Sequence, residues 1–297
     1  MALLEVNGIT KTFTRRKKTP HIVLENMSFT VERGQYVSLL GPSGCGKTTL
    51  LTMMGGFLTP DSGQIILAGN KVEKPGPDRG FVFQNYALFP WMTVEENILY
   101  SLQVKKLSQR EQKERLHELL EISHLFGSEH KYPVQLSGGM QQRVAVVRAL
   151  ASRPEILLLD EPLGAIDFQM RELLQEELAA LVEGAKTTVV MVTHDVSESV
   201  YLSDRVIVMS ANKGQIVKDV YINLDRPRDR QSPEFKSYVS ELTELVRQAF
   251  SEKIVDIELP SGFAEKNVNY NGQSSYTDTF NRMSNRYSRF NHGRVAK

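Results

Sequence analysis

Gly41, Gly46, Lys47 and Thr48 stand at the spacing G-x-x-x-x-G-K-[ST] within GPSGCGKT, and each residue type suits the same chemistry. Gly41, Gly44 and Gly46 let the backbone turn tightly, so that successive N–H groups face one concavity backed by the positive end of the following helix. Lys47 has the reach to meet β- and γ-phosphates, and Thr48 offers a hydroxyl to Mg²⁺. Pro42, Ser43, Cys45 and Thr49 complete the cradle. A chance glycine-rich turn is the bland alternative. The apolar run at 36–40 before the loop and the helix-compatible run at 49–57 after it favour the phosphate site.

Further along, the apolar run 156–159 ends in Asp160-Glu161-Pro162. Buried strands seldom finish in adjacent acids unless a cation or a water is waiting there, although a solvated strand end is a competing explanation. Asp160 is placed to hold Mg²⁺ through water, and Glu161 to orient or deprotonate an attacking water. A β-branched run at 188–192 delivers Thr193-His194-Asp195 at its carboxyl end; a lone His is usually structural, but this is where open α/β sheets bind ligands. Ser137-Gly138-Gly139 opens a helix that ends before Pro154. That is a second anion-ready N-terminus, unless it is only a flexible cap. Cys45, between two glycines and near Lys47, is expected to have a lowered thiol pKa.

These groups need a scaffold, and the hydrophobic patterning describes one of α/β type. Strands are expected at 3–6, around 22–31, and at 36–40, 64–67, 80–83, 156–159, 188–192, 205–209 and 216–222. Gln84 closes the strand at 80–83. Residues 93–152 read as mainly helical, with capping boxes Thr93-x-x-Glu96 and Ser108-x-x-Glu111 opening two helices. Between Gln84 and Thr93, the aromatic cluster around Tyr86, Phe89 and Trp91 is either core or a docking surface. Phe13, just before the basic run 15–18, is either core or a ring that stacks on a base. Ser232-Pro233 opens a last helix with Phe235, Val239, Leu242 and Val246 on one stripe. From 259 to 297 the pattern stops, and a disordered basic tail is expected, solvated or touching anionic lipid or RNA. Asn212-Lys213-Gly214-Gln215 resembles a guanine-reading N-K-x-D, but Gln215 stands where the acid is needed, so GTP specificity is discarded.

The 297 residues, 41% hydrophobic and 24% charged, suit one large α/β domain with an insertion or two domains. A net charge of +1 gives no global reason to expect nucleic acid as a partner. No run approaches the roughly 18 apolar residues of a membrane span, and MALLEVNGIT lacks a signal peptide's basic start. One cysteine excludes an internal disulfide and fits a reducing cytoplasm.

Taken in order, GPSGCGKT, Gln84, LSGGMQQR, ILLLDEP, the segment Gly164-Ala165-Ile166-Asp167 and His194 resemble the ATP-binding cassette (ABC) ATPases over residues 3–230. The resemblance implies an α/β P-loop NTPase, a RecA-like core with mixed sheet, an N-terminal antiparallel β part and an inserted helical subdomain. The core would span 1–92 and 153–230, the insertion 93–152, and a C-terminal helical extension 231–258. It further implies head-to-tail dimers in which ATP lies between Lys47 of one copy and Ser137, Gly138 and Gly139 of the other. Gln84 would sense the γ-phosphate and Mg²⁺, Glu161 would be general base, and His194 would hold γ-phosphate and water. Asp167 would cross the interface and Phe13 would stack on adenine. Met140, Gly164 and Ile166 depart from the usual Gln, Ser and Leu, while the phosphate-contacting Ser137 and glycines are intact.

QNYALFPWMTVEENI and LDRPRDRQSPEFKSYV look like the ATPase subunits of nitrate, sulfonate and taurine-type importers. That likeness implies a membrane permease as partner, a substrate-binding protein acting indirectly, and a peripheral place on the cytoplasmic face of the inner membrane. One rival is a soluble cassette ATPase acting on nucleic acid or ribosomes, for which only the basic tail argues. Another is a P-loop small-molecule kinase, which leaves Ser137 and His194 unexplained.

Overall fold

Alternating burial sets the opening of the chain. β1 (Ala2–Phe13) and β2 (His21–Glu32) pair antiparallel and bury Leu4, Val6 and Ile9 from one strand, and Leu24, Met27 and Val31 from the other. The structure, a computed structural model, describes residues 2–14, 20–105, 107–164 and 168–251. β1 continues well past the short 3–6 stretch that patterning marks, because register shifts between Val6 and Lys11 break the alternation while Ile9 stays inside.

β3 (Tyr36–Leu40) leads through the glycine loop into α1 (Lys47–Met54). β4 (Ser62–Leu67) and β5 (Asn70–Lys71) then complete a four-stranded antiparallel sheet in the order β2-β1-β4-β5. β6 (Arg79–Val82) ends just before Gln84. α2 (Val94–Val104), α3 (Gln109–Ile122) and α4 (Gly138–Ala151) follow. Both expected capping boxes form: Thr93 Oγ1 accepts from the Glu96 amide while the Glu96 carboxylate accepts from the Thr93 amide, and Ser108 and Glu111 repeat the exchange.

The remaining elements are β7 (Ile156–Asp160), α5 (Phe168–Ala185), β8 (Thr188–Thr193), α6 (Val196–Leu202), β9 (Arg205–Met209), β10 (Ile216–Tyr221) and α7 (Pro233–Ser251). The second sheet runs β10-β9-β3-β8-β7-β6, parallel except for β10. Every residue of β3, β7, β8 and β9 is buried, as strands covered on both faces require. One face packs Leu40, Leu159 and Met191 against the helices, and the other packs Leu39, Leu158 and Val190 against α1 and the antiparallel sheet. Because β3, β8, β7 and β6 are neighbours and parallel, the segments leaving their carboxyl ends converge. Those segments carry Gly41, His194, Glu161 and Gln84.

α6 is short and is pinned at both ends. Asp195 caps its start by accepting from the Glu198 amide, and Arg228 donates to the carbonyls of Val200, Tyr201 and Ser203 at its finish. Burial among these carbonyls pushes the Arg228 pKa down to about 10. No described helix is long and apolar enough to cross a membrane.

Candidate active site

The glycine loop is built against its neighbours. At Gly41 a Cβ would stand 2.6 Å from the Met209 carbonyl oxygen, so the loop can lie this close to β9 only without a side chain. Gly46 caps α1 at φ 105°, in the left-handed region, and a Cβ there would meet Leu24 Cδ2 at 2.8 Å. The first turn of α1 has no acidic residue, which leaves its N-terminus electropositive. Lys47, only 5% exposed, donates from Nζ to the carbonyls of Gly41 at 2.8 Å and Pro42 at 2.9 Å. Pro42 is buried, Ser43, Gly44 and Thr48 are exposed, and Thr49 is half-buried.

Cys45 departs from expectation. Its side chain is buried in the apolar cluster that holds Leu24 and Met209, and burial raises the thiol pKa against the lowering pull of Lys47. The helix N-terminus and the ammonium act on the thiol, but desolvation outweighs them.

At the end of β7 the two acids divide. Asp160 Oδ1 accepts from Thr48 Oγ1 at 2.9 Å, and burial raises its pKa while that hydrogen bond works against the rise. Glu161 sits at φ 45° with its amide donating to the Val192 carbonyl at 3.0 Å. This tie across to β8 holds its carboxylate between two elements: Oε2 accepts from Gln84 Nε2 at 3.1 Å, and Oε1 lies 3.4 Å from His194 Nδ1. Thr48 and Asp160 are hard oxygen donors placed together, and a cation would relieve the burial of the Asp160 charge, so the pair fits Mg²⁺.

The second helix N-terminus stands apart. Ser137 Oγ accepts from the Met140 amide at 3.3 Å, a Cβ on Gly138 would meet nothing within 4 Å, and Gly139 packs on Leu174. Among the described residues no hydrogen bond joins 137–139 to the glycine loop. Phe13 is 42% exposed, with Lys11 Nζ 5.7 Å from its ring centroid. Asp167 and the tail 259–297 lie outside the described residues.

The family described as ABC transporter matches residues 24–164. An aliphatic sulfonates import ATP-binding protein, SsuB, of Bacillus cereus is 45% identical over 233 residues, covering 78% of this chain and 91% of its own. The chain belongs to the ABC transporter ATP-binding family. A nitrate import ATP-binding protein, NrtD, of Synechococcus elongatus is 43% identical over 232 residues, covering 77% of this chain and 84% of its own. A solved dimeric structure of the ATP-binding cassette MJ0796 in a post-hydrolysis state, bound to ADP and Pi, superposes with a TM-score of 0.64 at 32% identity. That match covers 74% of this chain and 99% of the other.

The protein is accordingly a cassette ATPase with the P-loop NTPase fold and mixed sheet expected of it. The cassette also has a buried polar group that sequence reasoning missed. Glu198, 3% exposed on α6, accepts from Thr193 Oγ1, and that hydroxyl in turn accepts from the Asp195 amide at 3.0 Å. Burial pushes the Glu198 pKa up to about 7. Asp195 is also tied to Arg171 of α5 at 3.1 Å. The signal was present as Asp195-x-x-Glu198, a capping-box spacing directly after His194.

Proposed function

We propose that two copies of this cassette clamp two ATP molecules head to tail, and that hydrolysis drives a separate membrane permease importing a small anion of the sulfonate or nitrate class. The division of the site supports this most. Lys47, Thr48, Asp160, Glu161, Gln84 and His194 converge in one chain, whereas among the described residues no hydrogen bond joins the open helix start at Ser137, Gly138 and Gly139 to that cluster. The dimeric neighbour and the import subunits among the relatives support the same reading.

In this mechanism the γ-phosphate enters the concavity of residues 41–48, where backbone N–H groups, the α1 N-terminus and Lys47 offset its charge. Glu161 takes a proton from water as that water attacks the γ-phosphorus. The bond to the bridging oxygen breaks, and ADP and inorganic phosphate result. Gln84 and His194 aim the Glu161 carboxylate from either side. Thr48, Asp160 and Gln84 would hold Mg²⁺, which when bound neutralises charge on the phosphate oxygens. Phe13 stacks on adenine, Asp167 crosses the interface, and the partner's 137–139 segment closes over the γ-phosphate. Loss of that phosphate removes the bridge between copies and reopens the dimer. The chain sits peripherally at the cytoplasmic face of the inner membrane, with the segment around Trp91 facing the permease.

Mixing two inactive variants tests the shared site. Lys47→Ala disables one copy's loop, and Gly138→Glu puts a carboxylate into open space at the other's α4 N-terminus. A mixed dimer holds one intact site, so random assortment should raise phosphate release above that of either variant alone, to at most about a quarter of the wild-type rate. A mixture as inactive as its components would overturn the shared site.

A further inference from the structure

We propose that Arg148 is a positioning residue for Gln84 and the link through which the 137–139 half-site of one cassette reaches that same chain's own catalytic carboxylate. The proposal rests on the ATPase reading above. Immediately after Gln84 and Asn85, two successive non-glycine residues lie in the left-handed region, Tyr86 at φ 59° and Ala87 at φ 44°. L-residues hold such backbone only when their surroundings over-determine it. Here Tyr86 is buried, the Tyr86 and Ala87 amides donate to the Phe83 and Asn85 carbonyls at 2.8 and 2.7 Å, and one guanidinium grips the two carbonyls. Arg148 Nη2 donates to the Tyr86 carbonyl at 3.0 Å, Nη1 donates to the Ala87 carbonyl at 2.8 Å, and the group lies over the Phe89 ring at 5.3 Å.

Asn97 ties down the next stretch. Its Oδ1 accepts from the Phe89 amide at 3.0 Å, and its Nδ2 donates to the Phe89, Met92 and Thr93 carbonyls. The turn that aims Gln84 is therefore gripped by a rigid, planar fork that a lysine cannot reproduce.

Arg148 belongs to α4, and the same helix begins at Ser137 with the open donors. Ten residues of helix separate Gly138 from Arg148, about 15 Å of stiff rod. When a γ-phosphate on the partner engages the start of α4, any shift of the rod is felt at the carbonyls of Tyr86 and Ala87. From there it reaches Gln84, whose amide holds Glu161. Arg148 itself bonds to backbone carbonyls of the turn after Gln84. It acts through Gln84, and it connects one ATP site to the other.

The chain carries its own reporter. Trp91 is the single tryptophan, is 70% exposed, and has its ring 5.7 Å from that of Phe89. The experiment uses the full chain with Mg·ATP, and compares wild type, Arg148→Lys and Arg148→Lys combined with Ala87→Gly. In Arg148→Lys, kcat should fall about five- to tenfold, with ATP affinity within about twofold of wild type. Wild type is expected to show a sigmoidal dependence of rate on ATP and a change in Trp91 emission on ATP binding; in Arg148→Lys the first should flatten and the second disappear. Glycine adopts left-handed backbone without strain, so Ala87→Gly should recover part of kcat.

An Arg148→Lys chain with wild-type kcat, sigmoidicity and Trp91 response would overturn the proposal. Should Arg148→Lys lose ATP binding, Phe89→Leu decides, since it removes the ring beneath the guanidinium and keeps both carbonyl bonds. A smaller fall in the same direction supports the link, and wild-type behaviour overturns it. A wild-type chain without ATPase activity would instead strike the reading of the site itself.

Discussion

The cassette has two glycine-flanked helix N-termini, and they are built to opposite specifications. The start of α1 is walled in. Met209 O and Leu24 press on Gly41 and Gly46, Lys47 folds back onto the loop carbonyls, and Thr48 is tied to Asp160. The start of α4 has one side-chain cap from Ser137, free space over Gly138, no acid in its first turn and, among the described residues, no hydrogen bond to a lysine. A site that must bind first and hold charge benefits from preorganisation, because its donors are already desolvated and aimed. A site that must arrive later, on a ligand carried by another chain, needs open access.

The largest effect expected on this contrast comes from Glu161→Gln. The amide keeps the shape between Gln84 and His194 but cannot accept the water's proton. Phosphate release should fall by about 10²–10⁴-fold while equilibrium ATP binding persists. Turnover within about tenfold of wild type would remove Glu161 as base and leave the walled side without its chemistry.

A paired glycine substitution compares the two ends directly. Gly46→Ala meets both a left-handed φ and Leu24, and should cost about 2–4 kcal/mol in urea unfolding and abolish ATP binding. Gly138→Ala enters open space and should change stability by less than about 0.5 kcal/mol. Equal losses at both positions would erase the structural contrast.

How much of this was legible before the fold was known depends on where each partner lies. Gly41 through Thr48 could be read because one loop supplies all the groups at fixed local spacing. Asp160 and Glu161 could be read because acids are out of place after a buried run. The continuation of β1 to Phe13 was hidden by register shifts that break alternation. Arg148 looked like an ordinary polar position on a helix, since its partners are backbone carbonyls, which leave no mark in side-chain types. Arg171 and Asp195 meet only because α5 and α6 pack together.

A smaller, pH-dependent effect lies beneath His194. Glu198 is raised by burial from its ordinary 4.5 to about 7, with Asp195 and Glu161 adding to the rise and Thr193 and Arg171 opposing it. The folded chain therefore holds a proton that the unfolded chain has released between those values. The resulting stabilisation is complete below the lower pKa and is lost as pH rises through the upper one. Glu198→Gln does not titrate. The stability difference between wild type and Glu198→Gln should therefore move against wild type by on the order of 2–3 kcal/mol from pH 4 to pH 8. A pH-independent difference would show that Glu198 is not held protonated, and that the His194 segment lies in a more solvated place.

The smallest expected signal returns to Cys45, inside the walled end. A thiol lying between glycines at a helix N-terminus beside a lysine has the company of a reactive nucleophile. Its environment says otherwise, since burial raises its pKa and the side chain lies in the apolar cluster with Leu24 and Met209. Iodoacetamide labelling at pH 8 should thus be about a hundredfold slower in the native chain than in urea, because the thiol must wait for local opening. ATP should slow it further by stabilising the closed loop. Rapid native labelling would mean that the loop opens freely without nucleotide. The walled end would then be assembled by its ligand, as the open end is, and the two N-termini would differ in sequence but not in kind.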